Sequence, residues 1–184
     1  MAERKHLLSV EEFEKLARPA STHLDDVEVE AFIAECEDIH IIKAIGYGNY
    51  KACVTDTPFD TTFDDTFKPV TLIEGGEWKQ KMTCGCDEGK EILQYCVGLK
   101  KTLAYFVYAK MLRNDGSIVE RAGFMSHNDQ YASHANDNHK QYSDVMNIAE
   151  QYLADCMLYA KYHTIDKTIT PVHSTRSRII AIGD

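Results

Sequence analysis

At 184 residues the chain is long enough for one domain with its own core and too short to argue for two. Its 44% hydrophobic and 27% charged residues are ordinary for a globular protein. A net charge of −9 argues against a general nucleic-acid binder, which needs a basic patch to neutralise phosphates, yet it does not exclude a protein past which DNA slides without sticking.

The start, "MAERKHLLSVEEF", has no apolar h-region, so no secretory signal is expected. The longest apolar run, "LAYFVYA" (Leu103 to Ala109), is far below the ~18 residues of a membrane span. The 6 cysteines are therefore expected as reduced thiols, not as a disulfide framework.

In chain order, "SVEEFEKLARP" carries a capping box, with Ser9 and Glu12 satisfying each other's amides, and Pro19 as the stop of a short helix. A second helix is expected from Asp25 or Asp26, with Val29, Phe32, Ile33, Cys36, Ile39 and His40 on one stripe and Gly46 at its end. Tyr47 to Cys86 reads as mostly irregular, with a short hairpin in "VTLIEGGEWKQKM" turning at Gly75-Gly76. Phe59, Phe63 and Phe67 recur every fourth residue, as in a short helix or an aromatic clamp.

A long helix is expected over about Asp87 to Arg113, roughly 39 Å at ~1.5 Å per residue. Ile92, Cys96, Leu99, Leu103, Phe106 and Lys110 trace its face, and its final turns are apolar almost all round. A second long helix is expected from about Lys140 to His163, with Tyr142, Val145, Met146, Ala149, Tyr152, Leu153, Cys156, Met157 and Ala160 in helical period. "SRIIAI" near the end reads as a strand. The fold class is mostly α. It is a bundle with two long antiparallel helices, two shorter N-terminal helices and a few short strands. The whole is one domain, 1–184, with a helical core at 9–46 and 87–163, an irregular and hairpin segment at 47–86, and a C-terminal strand arm at 164–184.

The stretch Gly123 to Lys140, "GFMSHNDQYASHANDNHK", holds three of the 8 histidines. His134 and His139 have the spacing of half a zinc site, and Cys84 and Cys86 could supply thiolates. The cysteine spacing is too short for a structural site, and most of a long helix separates the two halves, so these read as polar loop residues. Cys36, Cys96 and Cys156 lie on helix faces, where a thiol is a small apolar filler. Asp56, Asp60, Asp64 and Asp65 lack the spacing and glycine of a calcium loop, and "IEGGEW" is a turn, not a phosphate loop. No catalytic, metal or cofactor residues are assigned.

The helix "GLKKTLAYFVYAKMLRNDG", the short extended "SIVERAGFMSHNDQYA" and the return "HKQYSDVMNIAEQYLADCMLYAKYH" together resemble the head–tail connector (adaptor) proteins of tailed bacteriophages, in particular a branch from phages and prophages of gut Bacteroides-type bacteria. The resemblance rests on Ala104, Tyr105, Tyr108 and Ala109 on the first helix and Gly123 and Phe124 at the excursion. It covers most of the chain, while the histidines and the "TCGC" insert depart from it. It implies a structural, non-enzymatic virion subunit in the phage neck, with no cofactor. About a dozen copies would form a ring by head-to-tail contacts. The portal and the tail or stopper proteins would be partners, no membrane would be involved, and double-stranded DNA would pass without sequence-specific binding. Contact residues would be Tyr105, Tyr108, Phe124, Arg176, Arg178, Ile179 and Ile180, the last two in a strand able to join a neighbour's sheet edge. Two other readings are a small metal- or thiol-dependent enzyme using His127, His134 and His139 with Cys84 and Cys86, and a helical interaction module of a bacterial host.

Overall fold

The computed structural model describes residues 4–17, 26–55, 57–81, 90–114, 118–120, 123–125 and 133–165, with the backbone alone for 114, 118–120, 123–125 and 133–140. The architecture is mostly helical with a short antiparallel hairpin. Helix α1 (Val10–Leu16) begins at the expected capping box: the Ser9 hydroxyl accepts from the Glu12 amide, and the Glu12 carboxylate accepts from the Ser9 amide.

Helix α2 (Asp26–Cys36) follows the expected stripe as far as Cys36 and then widens into one π-turn, Glu37–Ile41, before α3 (Ile42–Ile45). The extra residue in the turn rotates the stripe. Ile39, expected inside, is exposed, while Glu37 and Ile41 are buried. Glu37 is 0% exposed, a costly place for a carboxylate unless its lone pairs are filled. They are filled by the Leu7 amide at 2.7 Å, His6 Nδ1 at 2.8 Å and the Tyr50 hydroxyl at 2.8 Å, with Arg4 at 3.6 Å. Burial, reinforced by the carboxylate beside it, pushes the Tyr50 hydroxyl well above its usual range. This hub ties the segment before α1 to the end of α2 and to α4 (Tyr47–Val54).

Three expectations for the middle of the chain are corrected. First, Tyr47 to Cys86 holds two helices, α4 and α5 (Pro69–Glu74), in place of a mostly irregular segment. Tyr50 fixes the first to Glu37, and Pro69 at the first helical position favours the second. Second, Gly75-Gly76 is no hairpin turn. Gly75 ends α5 at φ 93°, and the hairpin pairs β1 (Gly76–Lys81) with β2 (Glu91–Cys96).

Third, β2 takes the first part of the stretch expected as one long helix. Helix α6 is Leu99–Asn114, 16 residues and about 24 Å long. Gly98, at φ 91°, separates the two; a Cβ there would sit 2.5 Å from the Glu74 carbonyl carbon and the Gly75 nitrogen. The two glycine corners thus cross at van der Waals distance, a close approach open only to glycine.

Helix α7 (Ser133–His163) starts seven residues before Lys140, so the second half of the polar stretch is helical where a loop was expected. Cys156 beside Thr102, Tyr152 against Tyr105 and Tyr142 under Arg113 set α7 antiparallel along α6. The two short strands β3 (Ile118–Glu120) and β4 (Gly123–Met125) pair between them. The core is centred on α6, where Leu99, Leu103, Ala104, Phe106, Val107 and Ala109 are all buried. α7 covers one flank, and α2, α1 and α5 cover the others. Lys100 joins three of these elements by pairing with Glu12 of α1 and Glu74 of α5 at 2.6 and 2.7 Å. The bond from Lys100 holds the Glu12 carboxyl below its ordinary range.

Replacing Glu37 by Ala leaves a buried hydroxyl and amide without an acceptor. Chemical denaturation should show a loss of about 3 kcal/mol for Glu37→Ala, against about 1 kcal/mol for Tyr50→Phe. Equal small losses would mean that the hub carries no stability.

Candidate interaction site

Between α4 and α5 the chain has no regular structure, and the three phenylalanines decide its path. They form the aromatic clamp, not the helix, of the two expected alternatives. The Phe63 and Phe67 rings stack at 3.8 Å between centroids, and Phe59 meets both edge-on at 5.5 and 5.6 Å. Phe67 then stacks on Tyr159 of α7 at 5.6 Å.

Backbone bonds close the same contact. Phe63 bridges Thr164, the Asp64 amide donates to the His163 carbonyl at 2.9 Å, and the Ile165 amide donates to the Thr62 carbonyl at 3.0 Å. The Tyr159 hydroxyl accepts from the Lys68 amide at 2.9 Å, and the Tyr162 hydroxyl accepts from the Lys81 amide at 3.0 Å. The C-terminal end of α7 is thereby fastened to the loop before α5 and to the end of β1.

At the centre lies His163, buried among the rings of Trp78, Tyr159 and Tyr162. Its Nδ1 stands 2.9 Å from Asp64 Oδ1, and the Thr66 hydroxyl donates to the same oxygen at 2.7 Å. A carboxylate only accepts, so Nδ1 carries the proton. Nε2 is the buried side-chain polar atom left without a partner among the described residues. Burial acts to raise the Asp64 carboxyl, but the bonds from Thr66 and His163 outweigh it and hold it below its ordinary value. The arrangement orders the His163 side chain and the bridge between Phe63 and Thr164.

The hairpin has two unlike faces. Trp78 and Cys96 point inward and are buried, while Leu93 and Tyr95 point outward, 61% and 63% exposed, across from Lys79 and Glu77. Alternation along β2 puts both on one surface. At the other end of the molecule, Arg113 faces Tyr142, so α6 runs out about level with that residue. The first turns of α7, Ser133 to Lys140, continue past the end of α6.

The expected contact residues fall in three groups. Tyr105 and Tyr108 are half-buried in helix packing, Tyr105 edge-on to Tyr152 at 5.1 Å. Phe124 lies on β4, with its backbone opposite Val119. Arg176, Arg178, Ile179 and Ile180 lie outside the described residues, as do His127, Cys84 and Cys86. His134 and His139 sit on the first turns of α7. Among the described residues no three His, Cys, Asp or Glu side chains gather as metal ligands, and no helix is long and apolar enough to cross a membrane.

Residues 47–164, well over half of the chain, match the model of a family of unknown function, DUF6712. The chain belongs to that family. No curated protein and no solved structure matches it. The DUF6712 span runs from the first residue of α4 to Thr164, the residue that bridges Phe63. It therefore encloses the clamp, the hairpin and the α6–α7 pair, and leaves α1 to α3 and Glu37 outside.

Sequence reasoning missed Glu37, the Asp64–His163 pair and the outward face of β2. Glu37 has no signal in a helical-period stripe that a π-turn shifts. Leu93 and Tyr95 were read on a helix, although "EILQYC" ahead of a glycine also fits a strand.

Asp64 is depressed in the folded state, so its ionic contribution is present above the unfolded value of about 3.8 and is lost as pH falls through the lower folded value. Wild type should therefore exceed Asp64→Asn in denaturation midpoint at neutral pH, and the gap should close below about pH 3.8. A gap that stays constant down to pH 2 would remove the ionic linkage.

Proposed function

We propose that the chain is a structural, non-enzymatic assembly subunit: the head–tail connector of a tailed phage, forming a ring in the virion neck between portal and tail. The observation that carries this reading is the overhang of α7. A 31-residue helix lies on a 16-residue partner, and its first turns, Ser133 to Lys140, extend beyond the end of α6 at Asn114. Among the described residues α6 ends before this extension, and tertiary packing is what stabilises most helices. In a ring it has a neighbour to lie against.

The resemblance of the α6–excursion–α7 pattern to connector proteins supports the same reading. On it, about a dozen copies close head to tail, the portal and the tail or stopper proteins bind the two rims, and DNA passes through without being held. The charge of −9 suits such a wall, since it repels the phosphate backbone.

Native mass spectrometry and electron microscopy of the purified protein, alone and mixed with a phage portal protein, test the reading. A metal-free ring on the portal is expected. Changing Ile179 and Ile180 together to Asp should abolish portal assembly while leaving the helical circular-dichroism spectrum intact. A monomer that holds stoichiometric zinc and ignores the portal would replace this reading with the metal-dependent one.

A further inference from the structure

Two cysteines 60 positions apart meet in the core. Cys96 closes β2, Cys156 lies on α7, and their sulfurs are 3.8 Å apart with both side chains buried. The Thr102 hydroxyl is 3.6 Å from Cys156 Sγ. Cys96 stands just ahead of the first turn of α6, a 16-residue helix, and takes a backbone hydrogen bond from Gly98. We propose that Cys96 and Cys156 are a redox dithiol, oxidised by a peroxide to an intramolecular disulfide that staples β2 to α7. The inference is independent of the connector reading.

The surroundings assign unequal roles to the two sulfurs. The contact with Cys156 and the backbone bond from Gly98 hold Cys96 below the usual thiol range against the opposing effect of burial. The same contact and burial hold Cys156 far above it. Cys96 is therefore the nucleophile and Cys156 the resolving thiol. In the first step the Cys96 thiolate attacks one peroxide oxygen, the O–O bond breaks, and hydroxide leaves as a sulfenic acid forms. In the second, Cys156 sulfur attacks the sulfenic sulfur, the S–O bond breaks, and water leaves with the Cys156 proton. Two thiols and one hydrogen peroxide give one disulfide and two waters.

Forming the bond shortens the sulfur separation from 3.8 Å to the roughly 2.05 Å of a disulfide. Cys36 and Cys53 offer an internal contrast. Burial pushes each thiol up to about 12, and neither has a second sulfur beside it among the described residues.

The test uses the full chain carrying Cys84→Ser and Cys86→Ser, treated with hydrogen peroxide under native conditions, alkylated in denaturant, digested and mapped by mass spectrometry. The expected product is a peptide pair joining Cys96 to Cys156, cleaved by dithiothreitol, with Cys36 and Cys53 still alkylated. Melting temperature should rise by about 5–10 °C on oxidation and should not rise in the Cys156→Ala variant. Recovery of both cysteines as alkylated thiols, or as separate sulfinic acids, overturns the proposal. If the serine background fails to fold, the same mapping on the unaltered chain decides it, because the joined peptides identify the pair by mass.

Discussion

The packing of α7 along α6 carries the other contacts of the fold. Leu103, Ala104, Phe106 and Val107 bury the central turns of α6 on successive faces, so that helix cannot be covered by one neighbour alone. One flank goes to Val145, Ala149 and Cys156 of α7. The others go to α2, α1 and α5. Small residues at Ala104 and Ala149 allow close approach, and the rings of Tyr105 and Tyr152 fix the register between them. At about 25 cal/mol per Å² of apolar surface, such a buried helix dominates the gain on folding, and the polar devices elsewhere hold the other elements against it.

Those devices work differently. Glu37 fastens the N-terminal helices with a carboxylate that is wholly dehydrated and fully bonded. Its π-turn widens the helix locally and aims the side chain inward. His163 and Asp64 fasten the far end of α7, but there the carboxylate stays partly in water and the imidazole is enclosed by rings. The family match begins at α4 and stops at Thr164. The clamp therefore belongs to the unit that defines the family, while the Glu37 hub joins that unit to the helices in front of it.

Much of the helical pattern was legible in the residues. The capping box at Ser9 and Glu12 is local chemistry, and the stripe from Val145 to Ala160 repeats long enough to be unambiguous. Where reading failed, a non-local contact had overridden the pattern. The stretch Ile92 to Cys96 has residues compatible with helical spacing, yet Trp78 needs a paired strand to reach the core, and Gly98 must cross Gly75 at a distance no Cβ permits. Ile39 kept helical period but lost burial to the π-turn. The candidate site was less legible than the fold. Tyr105 and Tyr108 were contact residues only through the resemblance; within the subunit both are half-buried, Tyr105 edge-on to Tyr152.

The polar stretch between α6 and α7 shows what each kind of inference can reach. Asn, Asp, Ser and His are weak helix formers, so the residues from Ser133 to Lys140 read as a connection. The backbone nevertheless continues the helix through them. Propensity alone is weak support for this run, six of whose eight residues are Asn, Asp, Ser or His, because helix stability in a protein comes mostly from packing along an apolar face. Within the subunit α6 has already ended at that level. Among the described residues, the turns of α7 behind them support these turns by propagation. Propagation weakens with each poor helix former added, so this end of α7 is the part of the helix that depends most on what packs beside it.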